Sequence, residues 1–380
     1  MKAASAEDYR SLARRRLPKF LFEYIDGGAG AETTMRRNIA DLQSVMLRQR
    51  VLRDVSKVSL EAELFGRRQA MPIALGPIGL GGLAARRGEA QAARAAERAG
   101  IPFCLSTVSL CPLGEVVRAV RDPFWFQLYV MRDRGFLREM LARAREAGCA
   151  ALVFTVDMPV PGTRYRDLRS GLADAAGLAG RLRRLFQAVT RPAWAYDVGL
   201  HGRPHALGNV ATLVGRDGGL ADYSRWMRDN FDPSVTWREI EAVRAEWGGT
   251  FIIKGILDPE DAVRAAAAGA DGVIVSNHGG RQLDGAPSSC HALPRVRAAV
   301  GYRLTVLADG GIRSGLDVVR MLALGADGVL LGRAWAYALG GGGGAGVTHL
   351  LDLFAAEMRV AMSLTGVTSV GEIDDSLLVR

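Results

Sequence analysis

Cysteine is scarce in this chain. Four occur in 380 residues (Cys104, Cys111, Cys149, Cys290), none in Cys-x-x-Cys spacing. That usage predicts reduced thiols in or near the core of a cytoplasmic protein. Histidine is nearly as sparse, with five residues. His201, His205, His291 and His349 show no metal-ligand spacing with one another or with cysteine, so no metal is expected and the four read as loop or surface residues. No uninterrupted apolar run approaches the roughly 20 residues of a membrane span. The first residues include Glu7 and Asp8 and no apolar core with a cleavage site, so no secretory signal is expected. Gly-x-Gly-x-x-Gly after a first strand is missing, which argues against a nicotinamide dinucleotide fold. Zinc-finger, helix-turn-helix and RNA-binding signatures are missing too, and nucleic acid is not an expected partner.

What is present is ample apolar material, 49% of residues, with 23% charged. A chain of this size suits one large α/β barrel or two ordinary domains. The net charge of +9 favours anionic partners: phosphate groups, acidic substrates or anionic lipid. One local phrase repeats, in which a helical pattern ends at Gly and a β-branched run follows and closes on polar residues. Ala268-Gly269-Ala270-Asp271-Gly272-Val273-Ile274-Val275-Ser276 and Leu324-Gly325-Ala326-Asp327-Gly328-Val329-Leu330-Leu331-Gly332 are nearly the same phrase. The Gly is a helix C-cap and the run a buried parallel strand. Eight strands are predicted, around 71–76, 101–105, 124–130, 150–156, 250–254, 271–276, 304–308 and 327–331. Helical patterns, including 88–99, 133–147, 236–247, 258–268 and 315–323, separate them.

Eight alternating units predict a closed (β/α)8 TIM barrel rather than an open doubly wound sheet. The chain reads as one domain over 1–380. An N-terminal segment (1–70) with a capped helix at Ser5-x-x-Asp8 precedes the barrel (71–340), and a C-terminal helical segment (341–380) follows. The stretch 165–235 is far too long for an ordinary strand-to-helix loop and reads as an insertion after the fourth strand. The run Gly340 to Gly344 reads as a flexible turn before a final helix.

The barrel assignment puts the polar residues of interest at strand carboxyl ends: Ser106, Gln127, Tyr129, Thr155, Asp157, Lys254, Ser276, His278, Asp309 and Arg333. Ser276-Asn277-His278-Gly279-Gly280-Arg281-Gln282-Leu283-Asp284 leaves the sixth strand with a histidine suited to take a proton and an arginine fork suited to a carboxylate. Asp309-Gly310-Gly311-Ile312-Arg313 and Gly332-Arg333 follow the seventh and eighth strands, where barrels frequently bind phosphate.

The 276–284 string resembles the signature of the FMN-dependent 2-hydroxy acid dehydrogenase and oxidase family, which includes glycolate oxidase, mandelate dehydrogenase and the flavin L-lactate dehydrogenases. Phe20-Leu21-Phe22-x-Tyr24-x-Asp26-Gly27-Gly28, Phe154-Thr155-Val156-Asp157-Met158-Pro159 and Ile253-Lys254-Gly255-Ile256-Leu257-Asp258-Pro259 extend the resemblance along the chain, nearest the bacterial respiratory, lactate-oxidising branch. The resemblance implies His278 as the base, Asp157 as its orienting partner, and Tyr24, Tyr129, Arg164 and Arg281 around the substrate, with Tyr129 also assisting catalysis. It implies an FMN site of Pro77, Ile78, Gly79, Ser106, Gln127, Thr155, Lys254, Ser276, Asp309, Gly310, Gly311, Arg313, Gly332 and Arg333. Many relatives have Thr and Ala after that proline, so Ile78 and Gly79 depart from the commoner pattern. The implied reaction is oxidation of L-lactate to pyruvate, with electrons passed to a quinone or another respiratory acceptor. A mandelate-type or other L-2-hydroxy acid dehydrogenase and an oxygen-using oxidase are the alternatives. A homotetramer is also implied.

Within the insertion, Leu182, Leu185, Phe186 and Val189 recur at mainly three- and four-residue spacing, with Arg181, Arg183 and Arg184 interleaved and Trp194 and Tyr196 just beyond. A basic amphipathic helix followed by aromatics suits peripheral binding at the cytoplasmic side of the inner membrane. The bland alternative is a lid helix with its apolar side packed on the barrel or a neighbouring subunit.

Overall fold

The computed structural model describes residues 2–172, 178–211, 226 and 229–379. Its centre is an eight-stranded parallel sheet: β1 (Ile73–Leu75), β2 (Cys104–Ser106), β3 (Trp125–Tyr129), β4 (Ala151–Thr155), β5 (Thr250–Ile256), β6 (Gly272–Val275), β7 (Thr305–Ala308) and β8 (Gly328–Leu331). From β2 to β8 each strand pairs with the next in sequence, and β8 pairs back onto β1. The ring closes where Leu75 bridges Phe103 and its N–H donates to Pro102 O at 2.9 Å. This is a (β/α)8 barrel.

Most strands fall where the apolar runs place them, with differences at the ends. The second is expected over 101–105 and begins only at Cys104, because Pro102 has no N–H to give a ladder. Gly148 and Gly269, which end the preceding helices in the repeated phrase, stand at φ 69° and 80°, a conformation that costs glycine little.

Alternation of side chains divides the core in two. Ala74, Cys104, Trp125, Val153, Ile252, Ile274, Leu307 and Leu330 point into the barrel. Their opposite neighbours pack beneath the helices in the larger cluster. A hairpin of Ala62–Leu64 and Arg67–Gln69 closes the amino end; its Phe65 meets Trp125 edge-on at 5.8 Å between centroids. Each fully buried aliphatic or aromatic side chain contributes roughly 1.5–3 kcal/mol. The bottom is therefore sealed, and the carboxyl ends are left for chemistry. Cys104, Cys111 and Cys290 are buried, Cys149 partly so, and all four are free thiols.

Three helices precede the barrel: Ala6–Arg16, Lys19–Asp26 and Thr33–Ser44. Ser5 caps the first by accepting from Asp8 N. That helix packs on the long Arg333–Thr365 helix, which corrects the expectation of a flexible turn at 340–344. The helix runs through the glycines and breaks only at Gly343 (φ 61°, ψ −156°). A Cβ at Gly340 would lie 2.9 Å from Leu17 Cδ1, and one at Gly341 2.9 Å from Leu12 Cβ. Close helix–helix approach thus outweighs the poor helix propensity of glycine here. His349 lies in this same helix, not in a loop, and its Nδ1 shares a 2.8 Å hydrogen bond with Tyr9 OH.

The insertion contributes helices Tyr165–Ser170, Leu178–Val189 and Pro192–Trp194 and a π-helical turn Ala195–Leu200. Residues 173–177, 212–225 and 227–228 lie outside the described residues. Leu182, Leu185, Phe186, Val189 and Tyr196 are all exposed. Trp194 is not: its ring is buried edge-on to Phe20 and its Nε1 donates to Leu83 O at 2.7 Å. It anchors the insertion, and the expected exposed aromatic pair reduces to Tyr196.

Candidate active site

The site begins with a backbone irregularity. After β6, His278, Gly279 and Gly280 stand at φ 57°, 64° and 71°. Left-handed backbone at a histidine is uncommon and is retained where surrounding contacts over-determine it. Those contacts come from the rest of the signature. Ser276 Oγ accepts from His278 N at 3.0 Å, and Asn277 exchanges two 2.8 Å hydrogen bonds with Asn38. Asp284 accepts from Ala31 N and Thr34 N. Gln282 donates to Asp157 O and Val160 O, tying the loop after β6 to the loop after β4. Asn277, Gln282 and Asp284 therefore build the scaffold that aims the histidine.

His278 Nδ1 lies 3.0 Å from Asp157 Oδ1. Donation of Nδ1–H to that carboxylate leaves the Nε2 lone pair free, the tautomer a base requires. Burial pushes the His278 pKa below its ordinary value, opposed by the Asp157 charge and reinforced by Lys254 and Arg164. The surroundings therefore favour the neutral imidazole. Burial would raise the Asp157 carboxyl, yet the charge and hydrogen bond of His278, with Lys254, hold it below the usual range.

Lys254, at the end of β5, is buried, with Nζ 2.7 Å from Ser276 Oγ and 2.9 Å from Asp309 Oδ2. Burial opposes its charge, but Asp309 and Asp157 raise its pKa, and it stays an ammonium. Three arginines converge nearby. Arg281 Nη1 donates to Tyr24 O (2.7 Å) and Gly27 O (2.8 Å), and its guanidinium lies 5.0 Å from the Tyr24 ring centroid. Arg333 donates to Ile25 O, Gly27 O and Gly279 O. Arg313 lies over the Tyr337 ring. Burial, with Arg281 and Arg313 adding like charge, pushes the Arg333 guanidinium down to about 9.

These side chains surround one cavity that is open to solvent at its mouth. It brings together Tyr24, Pro77, Ile78, Gly79, Gln127, Tyr129, Thr155, Arg164, Lys254, His278, Arg281, Asp309, Gly310, Gly311, Arg313, Gly332 and Arg333. Three of the expected residues lie behind that wall. Asp157 backs His278, Ser276 holds Lys254, and Ser106 Oγ donates to Gln127 Oε1 at 3.0 Å. Ile25 and Met158 also line the cavity; sequence reasoning gave them no role, since an apolar residue beside a motif carries no signal. Asp26 was likewise missed. It is buried and accepts from Arg10, Arg166 and Tyr337 OH, fixing the Tyr24–Gly27 segment whose carbonyls hold the two arginines.

The FMN-dependent dehydrogenase profile matches residues 13–380. The chain belongs to that family. It is 62% identical over 380 residues to an L-lactate dehydrogenase of Caulobacter sp. (strain K31), covering all of this chain and 99% of the relative. It is 60% identical over 379 residues to an L-lactate dehydrogenase of Chromohalobacter salexigens, again covering all of this chain and 96% of that one. Among solved structures it resembles a monotopic membrane protein, (S)-mandelate dehydrogenase, with TM-score 0.93, 37% identity and full coverage of both chains. A mandelate oxidase superposes with TM-score 0.82 at 40% identity, covering 97% of this chain and 96% of that one.

The protein is an FMN-dependent oxidoreductase of this family, and the cavity fits the cofactor on its own terms. Gln127 Nε2, Thr155 Oγ1 and Asp309 Oδ1 are buried atoms without a hydrogen-bond partner, and all three belong to lining residues. Leaving each unsatisfied costs roughly 1–3 kcal/mol. A polar planar ligand with an anionic tail reaching the arginine cluster would satisfy them.

Proposed function

We propose that this chain oxidises L-lactate to pyruvate and passes the electrons to a membrane quinone. The observation that carries the reading is the half-buried His278, backed by Asp157 at 3.0 Å and opening on a cavity that Arg164 and Arg281 also line. The names of the full-length relatives supply the choice of lactate.

FMN, when bound, supplies the two-electron acceptor. Gln127, Thr155 and Asp309 would hold it through their unpartnered atoms, with Pro77, Ile78 and Gly79 presenting backbone. Lys254, a fixed buried charge, would stabilise negative charge gained on reduction. Gly310, Gly311, Arg313, Gly332 and Arg333, at the start of the Arg333–Thr365 helix, would take the phosphate. Ser276 and Ser106 would act one layer back, through Lys254 and Gln127. Arg164 and Arg281 would grip the substrate carboxylate, each charge-assisted bond contributing roughly 1.5–3 kcal/mol. Tyr24 and Tyr129 would orient the substrate. His278 Nε2 would take the 2-hydroxyl proton, and Asp157 would stabilise the imidazolium that results.

The exposed apolar row of the Leu178–Val189 helix supports peripheral attachment to the cytoplasmic side of the inner membrane, where a quinone is available. No helix among the described residues is long and apolar enough to cross a membrane. A homotetramer remains part of the reading by family resemblance, and sedimentation of the holoenzyme decides it.

Anaerobic mixing of the FMN-loaded protein with a panel of L- and D-2-hydroxy acids tests the substrate. L-Lactate should bleach the flavin fastest and D-lactate should not. Faster bleaching by (S)-mandelate would replace lactate with a mandelate-type substrate, and no bleaching by any acid would overturn the reading.

A further inference from the structure

The insertion does not stay at the surface; its residues 208 and 209 reach the cofactor wall. Gly208 N donates to Ser109 O at 3.0 Å, and a Cβ at Gly208 would lie 2.5 Å from both Leu110 O and Pro112 N. This segment is thus pressed against the 106–113 loop that leaves β2. Beside it Asn209 is fully buried. Its Oδ1 accepts from Leu113 N at 2.8 Å, and its Nδ2 donates to Ser109 Oγ at 3.0 Å and Ser106 O at 3.3 Å. Arg143 Nη1 donates to the Asn209 carbonyl. One side chain therefore grips both ends of the loop.

The loop in turn governs Gln127. Thr107 donates twice to Gln127 O, through its N–H and its hydroxyl. Ser106 Oγ, which accepts from Val108 N, donates to Gln127 Oε1 at 3.0 Å. With the amide oxygen engaged, Gln127 Nε2 is left as the unpartnered donor at the cavity. We infer that Asn209 is a positioning residue for the cofactor wall: it fixes the 106–113 loop, and through Ser106 it sets the orientation in which Gln127 offers its amide N–H to FMN. The inference rests on the reading of Gln127 as an FMN contact.

The test is a double-mutant cycle on FMN binding, with dissociation constants measured on the apoprotein by quenching of flavin fluorescence. Gln127→Ala, Asn209→Ala and the double variant are compared with wild type, with circular dichroism and Tm as checks on folding. A hydrogen-bonded contact of this kind corresponds to about a threefold to tenfold change in Kd. Asn209→Ala should raise Kd within that range and shift the visible absorption of bound flavin. In the Gln127→Ala background it should raise Kd no further. Additive effects, or an Asn209→Ala variant with wild-type Kd, would overturn the inference while leaving the cofactor assignment standing. A Gln127→Ala variant with wild-type Kd would instead remove the Gln127 reading and the inference with it. Should Asn209→Ala not fold, Ser109→Ala removes one of the same contacts and enters the cycle in its place, with a smaller single effect and the same required non-additivity.

Discussion

At the residue scale the proposed chemistry rests on one proton acceptor, His278, whose surroundings lower its pKa. His278→Ala should retain FMN, since the imidazole is not the residue holding the cofactor's phosphate, and should lose flavin reduction by L-lactate by 10²–10⁴-fold or more. Rapid-mixing absorbance measures it; near wild-type bleaching would reassign the base. The pH dependence has a definite sign. The folded His278 pKa lies below the ordinary 6.5 because burial disfavours the imidazolium. On this reading the base form is favoured at neutral pH, and kcat/KM should fall as pH drops below the ordinary value through the depressed one. The same group makes folding less favourable in that window, since the unfolded chain binds the proton first from 6.5 downward. A kcat/KM profile falling already at pH 7.5 would contradict the neutral assignment. Arg281→Lys should raise KM for lactate and slow reduction, because an ammonium lacks the planar fork and cannot reproduce the contacts to Tyr24 O and Gly27 O. Of these residues, His278, Asp157 and Arg281 were legible from type and position at strand ends. Asp26 and Asn209 were not. Their roles depend on partners such as Tyr337 and Ser106, 311 and 103 residues away, and no local pattern reports such pairings.

At the scale of elements, the left-handed turn at 278–280 is the most exacting piece of the site. Gly280 has φ 71°, and a Cβ there would fall 2.5 Å from Met35 N, a backbone atom of the Thr33–Ser44 helix. Gly280→Ala therefore combines a disfavoured conformation with a clash that no side-chain rotation relieves. A destabilisation of about 2–4 kcal/mol is expected, with a lower Tm and impaired reduction even in the FMN-loaded protein. An unchanged Tm would mean that the helix yields more readily than its paired Asn38–Asn277 contacts suggest. The strands were legible because each is a short apolar run that closes on polar residues, several of them after a helix-ending glycine such as Gly148 or Gly269. The 340–344 run was misread because glycine content reports backbone freedom and says nothing of a helix pressed close against it. In the insertion, spacing identified the Leu178–Val189 helix but could not distinguish Trp194, which is buried, from Tyr196, which is not.

At the scale of the whole molecule, the excess of positive charge has a place to act. The Leu178–Val189 helix exposes Leu182, Leu185, Phe186 and Val189 at 57–71% of their full area. Arg14, Arg15 and Arg191 border a shallow depression between the first helix and the insertion. Apolar side chains of this kind contribute in proportion to the area they bury in the interface, and basic residues at an anionic surface contribute about 1 kcal/mol each. Neither term alone would anchor a 380-residue protein firmly, but together they would give the reversible attachment proposed above. The FMN-loaded protein should co-sediment with vesicles containing anionic phospholipid, bind zwitterionic vesicles less, and release as salt shortens the Debye length below about 8 Å. Replacing Leu182, Leu185 and Phe186 together by Ser should reduce the bound fraction at least tenfold on both lipids. Arg14→Gln with Arg15→Gln should remove mainly the preference for anionic lipid. Because these changes leave Gly208 and Asn209 in place, FMN content and flavin bleaching by L-lactate should be unaffected, which separates attachment from catalysis. Equal binding by the wild type and the triple variant, or binding by neither, would make the helix a lid or a protein contact and leave the quinone without a membrane route to the site.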